Sequence, residues 1–139
     1  MNIPTFLVLA ANWLTIQSRE ESQDLATLQG EWALMETADA KGPDRGAEAI
    51  RMVIKRYTMT MLFGGLETNR GTMALGLSKG VRIIDMKFAN GKSVLGVYEL
   101  AGDLLTICVA EGGNARPGSL APRGTQWLEK WKRAQPGHE

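Results

Sequence analysis

The chain has 139 residues, of which 44% are hydrophobic and 22% charged, with a formal net charge of +1. That length suits one domain with a real core, and so small a net charge gives no overall pull toward nucleic acid or an anionic membrane. The single cysteine, Cys108, excludes an internal disulfide and a thiolate zinc site, and the sole histidine, His138, lies in a polar tail, which removes most histidine-dependent catalysis.

Residues 1–18 hold an apolar run, Phe6 to Leu14, too short to span a membrane but as long as a signal-peptide core. No Lys or Arg precedes it and Asn12 interrupts it, while Ser18 before Arg19-Glu20-Glu21 is compatible with a processing site. Two readings stay open. Residues 1–23 are an extension carrying a signal peptide, which makes the protein extracytoplasmic (periplasmic or secreted); or they are a partly ordered extension or a helix packed on the domain, which is then cytoplasmic. Residues 19–28 are polar and read as helix or extended linker. The domain itself is assigned to residues 24–133, and residues 134–139 to a C-terminal tail.

A first strand is expected over Trp32 to Thr37. A loop follows from Ala38 to Gly46, then one helical turn from Ala47 to Ile50 and a short strand, Met52 to Ile54. Tyr57 to Phe63 alternates, placing Tyr57, Met59, Met61 and Phe63 on one face. Gly64-Gly65 turns the chain. Glu67 to Leu77 pairs back with Gly71, Met73, Leu75 and Leu77 in phase. Three apolar runs between Val81 and Ala110 then form a meander. Gly112 to Gly124 is a long loop, and Gln126 to Lys132 closes the chain.

Asn90-Gly91 reads as a two-residue type I′ hairpin, because both residues tolerate positive φ. That turn pairs Phe88 with Ser93, Met86 with Leu95, Ile84 with Val97 and Arg82 with Glu99. One face then collects Ile84, Met86, Phe88, Leu95 and Val97, and Gly96 and Tyr98 point outward. A three-residue loop, Leu100-Ala101-Gly102, keeps Leu105, Ile107 and Val109 on the inner face and puts Cys108 outside near Tyr98. In this register Asp85 and Glu99 lie on opposite faces, so they form no acid/base pair. Glu99 is expected to meet Arg82 or Arg116 at a barrel rim.

Seven or eight short strands with little helix imply an all-β fold, either a sandwich or an up-and-down antiparallel β-barrel of about eight strands. Successive hairpins favour the barrel. Its expected lining is Trp32, Met59, Met61, Met73, Met86, Leu95, Val97, Leu105 and Ile107. A lining so rich in methionine either fills the axis or adapts to a small apolar guest. The ligand-binding candidates are therefore Trp32, Met59, Met61, Met73, Met86, Leu95, Val97 and Ile107. No catalytic, metal or cofactor set can be assembled. Gly91-Lys92-Ser93 lacks the first glycine and the following helix of a phosphate loop. Cys108 reads as a small buried hydrophobe. The closing strand, with its tryptophans and basic residues, reads as lysines facing water. The expectation is a non-enzymatic domain of unknown function with no cofactor, no nucleic-acid partner and no stable membrane span. Either it holds a small apolar ligand in its lumen, or it is a filled-core structural or protein-interaction domain.

Two blocks of sequence carry a resemblance. One is Leu28-Gln29-Gly30-Glu31-Trp32. The other is Gly96-Val97-Tyr98-Glu99-Leu100-Ala101-Gly102-Asp103, followed by Ile107-Cys108 and Arg116-Pro117. Together with Asp85 they are similar to a small uncharacterised lipocalin-like (calycin-like) domain family expanded in planctomycetes. The likeness covers about residues 24–133. It departs from the family at Val97, where isoleucine is usual, at Ala101, where aspartate is usual, and in its many methionines. The resemblance implies a bacterial barrel domain, often exported, and supplies no catalytic residues. Gly30-x-Trp32 also resembles the first-strand motif of lipocalins. There the Trp closes one barrel end beside a basic residue of the last strand, a role that falls to Lys132 or Arg133.

Overall fold

The computed structural model describes residues 20–44 and 49–134. A helix over residues 20–28 precedes nine strands. These are β1 (Gly30–Asp39), β2 (Gly42–Asp44), β3 (Ile50–Lys55), β4 (Thr58–Phe63), β5 (Leu66–Ser78), β6 (Val81–Phe88), β7 (Ser93–Ala101), β8 (Leu104–Glu111) and β9 (Trp127–Arg133). Consecutive strands pair antiparallel from β3 to β9, β1 pairs with β3, and β9 pairs back onto β1. The short β2 only folds onto the end of β1. The other eight strands form a closed up-and-down barrel, which leaves no long unpaired edge. Of the helical turn expected over Ala47 to Ile50, residues 47 and 48 fall outside the described residues and Ile50 instead begins β3; the processing site near residue 18 also falls outside them.

The hairpin between β6 and β7 departs from the expected register. Ile83 pairs with Val97, Asp85 with Leu95 and Met86 with Val94. Gly91 is left-handed at φ 89°, but Asn90 keeps a negative φ. The Gly91 N–H donates to the Phe88 carbonyl at 3.0 Å, and the Phe88 N–H donates to the Lys92 carbonyl at 2.8 Å. This is a three-residue loop, a type I turn closed by a left-handed glycine, rather than a type I′ turn. A one-residue change inverts every side chain of the following strand. Val94 and Tyr98 therefore join the core cluster, and Gly96 between them also points inward. Leu95 and Val97 point outward, which corrects their assignment to the lining.

The next turn reverses the slip. Ala101 pairs with Leu104, so its loop is the two residues Gly102-Asp103, with Gly102 at φ 61° as a type II′ turn requires. The two shifts cancel. Leu105, Ile107 and Val109 face inward as expected, and Cys108 faces outward opposite Val97 rather than beside Tyr98.

Val97, Cys108 and Ala110 are nonetheless buried, although they lie outside the lumen cluster. The long loop after β8 covers this part of the outer wall. Its Pro117 is fully buried. The Arg116 guanidinium donates to Asp85 Oδ1 at 2.6 Å and to the backbone carbonyls of Gly96 and Ile84 at 2.9 and 3.2 Å. Arg116 thus straps β6 to β7 from outside, and Glu99 is exposed. The Arg82–Glu99 and Arg116–Glu99 contacts do not form. Asp85 and Glu99 in fact share the outer face, four positions apart in this register and hence about 13 Å along the strand.

Smaller departures have local causes. Met35 sits in a bulge where β1 shifts against β9, and it is exposed. Tyr57 lies in the turn before β4 and Phe63 at its far end, and both are exposed, so only Met59 and Met61 of that alternating set face the core.

Candidate functional site

The barrel has two unlike ends. The helix crosses the end that carries the turns at Arg56, Gly80 and Gly102. Leu28 is fully buried and Leu25 packs on the core. The Trp32 indole N–H donates to the Leu28 carbonyl at 2.9 Å. The Arg133 guanidinium lies 4.3 Å over the Trp32 ring, and it donates to the Gln29 carbonyl at 2.9 Å and to the Thr27 carbonyl. Of the two basic candidates, Arg133 is the one on the tryptophan. Asp24 of the helix accepts from the Tyr98 hydroxyl at 2.6 Å and from Arg82 Nε at 2.7 Å. Burial and the hydrogen bond to Asp24 push the Tyr98 phenol pKa up, and the Asp24 bond raises that of Arg82. Polar locks of this kind make a plug, not a portal.

The lumen toward the other end keeps a cavity of about 70 Å³. Its walls are Met52, Met59, Met61 and Met86, with Phe88, Val94, Ile107 and Val109, and β9 contributes Trp127, Glu129 and Trp131. Alternation along β9 places those three on one face, and Lys130 and Lys132 point to water. Beyond the cavity, at the barrel mouth, lies a cleft of about 480 Å³. Phe88, Val94 and Trp127 line both spaces. Asn69, Asn90, Lys92, Ser93 and Glu111 edge the cleft.

Glu129 is the chemically unusual member. Its Oε2 accepts the Trp127 indole N–H at 2.9 Å, and its Oε1 accepts the Trp131 indole N–H at 3.1 Å. Protein packs around the carboxyl, and that burial pushes its pKa up, with the two indole donors opposing the shift. The residue as a whole is only partly buried, and its carboxyl lies in the wall of the lumen cavity. Among the described residues it makes no ion pair.

Of the eight lining candidates, Met59, Met61, Met86 and Ile107 meet at this cavity. Trp32 and Met73 belong to the same core cluster without lining the cavity, Trp32 at the plugged end. Leu95 and Val97 lie on the outer face. Met52, Phe88, Val94, Val109, Trp127, Glu129 and Trp131 also line it and are missing from the sequence-based ligand set. The period-two spacing Trp127-x-Glu129-x-Trp131 is the signal that finds three of them, since it forces the carboxylate onto the tryptophan face.

Among the described residues no group of three or more His, Cys, Asp or Glu is placed to hold a metal ion, and no helix is long and apolar enough to cross a membrane. Burial pushes the Cys108 thiol pKa up, which disfavours the nucleophilic thiolate. No family model matches the sequence, and no curated protein matches it either.

Proposed function

We propose that this domain is a non-enzymatic binding barrel that takes a small, largely apolar ligand through the end opposite the helix. The observation that carries the reading is the cavity lined by four methionines beside a larger cleft that shares three of its walls. Methionine has three flexible torsions and a polarizable sulfur, so such a wall reshapes around a guest at low cost. The cleft falls within the usual range for small-molecule sites, whereas the cavity alone is well below it. The guest's body therefore rests against Phe88, Val94 and Trp127, with its tip among the methionines. The Trp32–Arg133 closure supports kinship with lipocalin-like barrels, which we include in the proposal.

A second reading has its own observation. The lumen is mostly filled by side chains, as a structural or protein-interaction domain would be. Titration with an environment-sensitive apolar dye separates the two. Wild-type protein should bind the dye, and Met61→Trp and Val94→Trp should abolish binding by filling the space. Leu66→Trp, at a residue 75% exposed, should leave it unchanged. Absence of dye binding by the folded wild type, or binding unaffected by both fillings, would favour the filled-core domain.

A further inference from the structure

We propose that the ligand of this lumen carries a cationic amine head, bound by the Glu129 carboxylate between Trp127 and Trp131. The inference rests on the reading that the lumen takes a guest, and it names the chemistry that guest must have.

Its place in the lumen together with the absence of an ion pair sets Glu129 apart, since carboxylates such as Asp39, Glu99 and Glu111, which also appear in no ion pair, are exposed. Asp24, Glu31, Glu36, Glu67, Asp85 and Asp103 each meet an Arg or Lys on the barrel surface or at its plugged end. Glu129 lines the lumen cavity and meets no cation among the described residues. Burying a carboxylate without a positive partner is expensive. Two indole N–H groups reduce the cost without cancelling the charge.

Its hydrogen-bond capacity is also only partly used. A carboxylate offers about four lone-pair directions. Trp127 and Trp131 each use one, on different oxygens. The rest of the cavity wall is thioether, phenyl and aliphatic side chain, with no further polar side chain. The remaining acceptor positions can take an N–H donor carried by a guest.

The surroundings then select the donor. Aromatic rings and soft sulfur favour an organic cation. A hard divalent metal wants six or more oxygen ligands and finds one carboxylate. A carboxylate-headed guest would meet like charge. An ammonium group presents N–H donors to Glu129 and apolar carbon to the methionines. The cavity has room for a few water-sized groups, which suits a compact head. The apolar body of the guest occupies the cleft against Phe88, Val94 and Trp127.

The test uses three matched probes on the full chain: hexylammonium, 1-hexanol and hexanoate, titrated by tryptophan fluorescence and calorimetry. Hexylammonium should bind wild-type protein about tenfold or more tightly than 1-hexanol, as a charge-assisted bond replaces a neutral one, and hexanoate should bind weakest. Glu129→Gln should remove the preference for the amine while 1-hexanol binding stays within about twofold. If 1-hexanol equals hexylammonium on the wild type, or the preference survives Glu129→Gln, the amine inference is overturned while the binding barrel stands. If none of the three probes nor the apolar dye binds folded protein, both fall. Should Glu129→Gln fold poorly, the ranking of the three probes on the wild type decides alone.

Discussion

Gly96→Ala should destabilise the barrel measurably, because an added methyl has nowhere to go. A Cβ built on Gly96 would stand 2.9 Å from the Cys108 backbone oxygen, 2.9 Å from Val109 Cγ1 and 3.2 Å from Ile84 Cγ2. Ordinary contact begins near 3.4 Å, so two of the overlaps are about 0.5 Å, and one is with backbone that cannot rotate aside. Overpacking of this kind costs about 1–3 kcal/mol. Replacing glycine returns about 0.5–1 kcal/mol by reducing the freedom of the unfolded chain. The net loss is therefore about 0–2.5 kcal/mol and centred on about 1 kcal/mol, where the fall in Tm is about 4 °C for a domain of this size. Gly118→Ala is the control: nothing lies within 4 Å of its Cβ position, and its φ is not left-handed. Calorimetric melts of the two variants and the wild type measure the difference. If Gly96→Ala melts with the wild type, Gly96 faces open space, and the inward phase of Val94, Gly96 and Tyr98 on β7 is wrong.

Other perturbations follow from the same geometry. Tyr98→Phe removes the hydroxyl bonded to Asp24 and should cost about 1 kcal/mol, with faster amide exchange in residues 20–28 and little change in β8. Arg133→Leu should loosen that helix further, losing its bonds to the Gln29 and Thr27 carbonyls and the stacking on Trp32, together about 2–3 kcal/mol; retention of wild-type exchange in the helix would refute the plug. The folded-state pKa of Glu129 lies above its unfolded value, so the protonated form is favoured by folding. Its stabilising contribution is complete below the unfolded pKa and is lost as pH rises through the folded one. The stability of the wild type relative to Glu129→Gln should therefore fall in denaturant titrations as pH is raised from the ordinary carboxylate range toward neutrality, and a difference that rises with pH would contradict the buried placement of the carboxyl.

How much of the fold is legible in the sequence depends on the strand. Met59 and Met86 alternate with polar residues, and their inward phase follows from period two alone. Strand β7 carries two interleaved apolar sets, Val94-x-Gly96-x-Tyr98 and Leu95-x-Val97, because the loop bearing Arg116 and Pro117 buries its outer face as well. A strand covered on both sides has no phase to read, so only the turn can decide, and Asn90-Gly91 suits both the two-residue and the three-residue hairpin. The helix is half legible: residues 19–28 read as helix or extended linker, and only the folded barrel brings Asp24 to Tyr98 and Arg82. Glu129 is marked by its spacing, yet a carboxylate among lysines on a closing strand reads as surface until Trp127 and Trp131 are seen to close around it.

A guest that enters the lumen must meet Glu129 and leave the plugged end undisturbed. The most direct measurement is an NMR titration of the tryptophan side-chain N–H resonances with hexylammonium. The Trp127 and Trp131 indole N–H groups are bonded to Glu129, whereas that of Trp32 is bonded to the Leu28 carbonyl at the plugged end. Binding beside Glu129 predicts that the Trp127 and Trp131 signals shift together in a saturable manner while the Trp32 signal stays in place. Shifts confined to Trp32, or no saturable shift at Trp127 and Trp131, would contradict it.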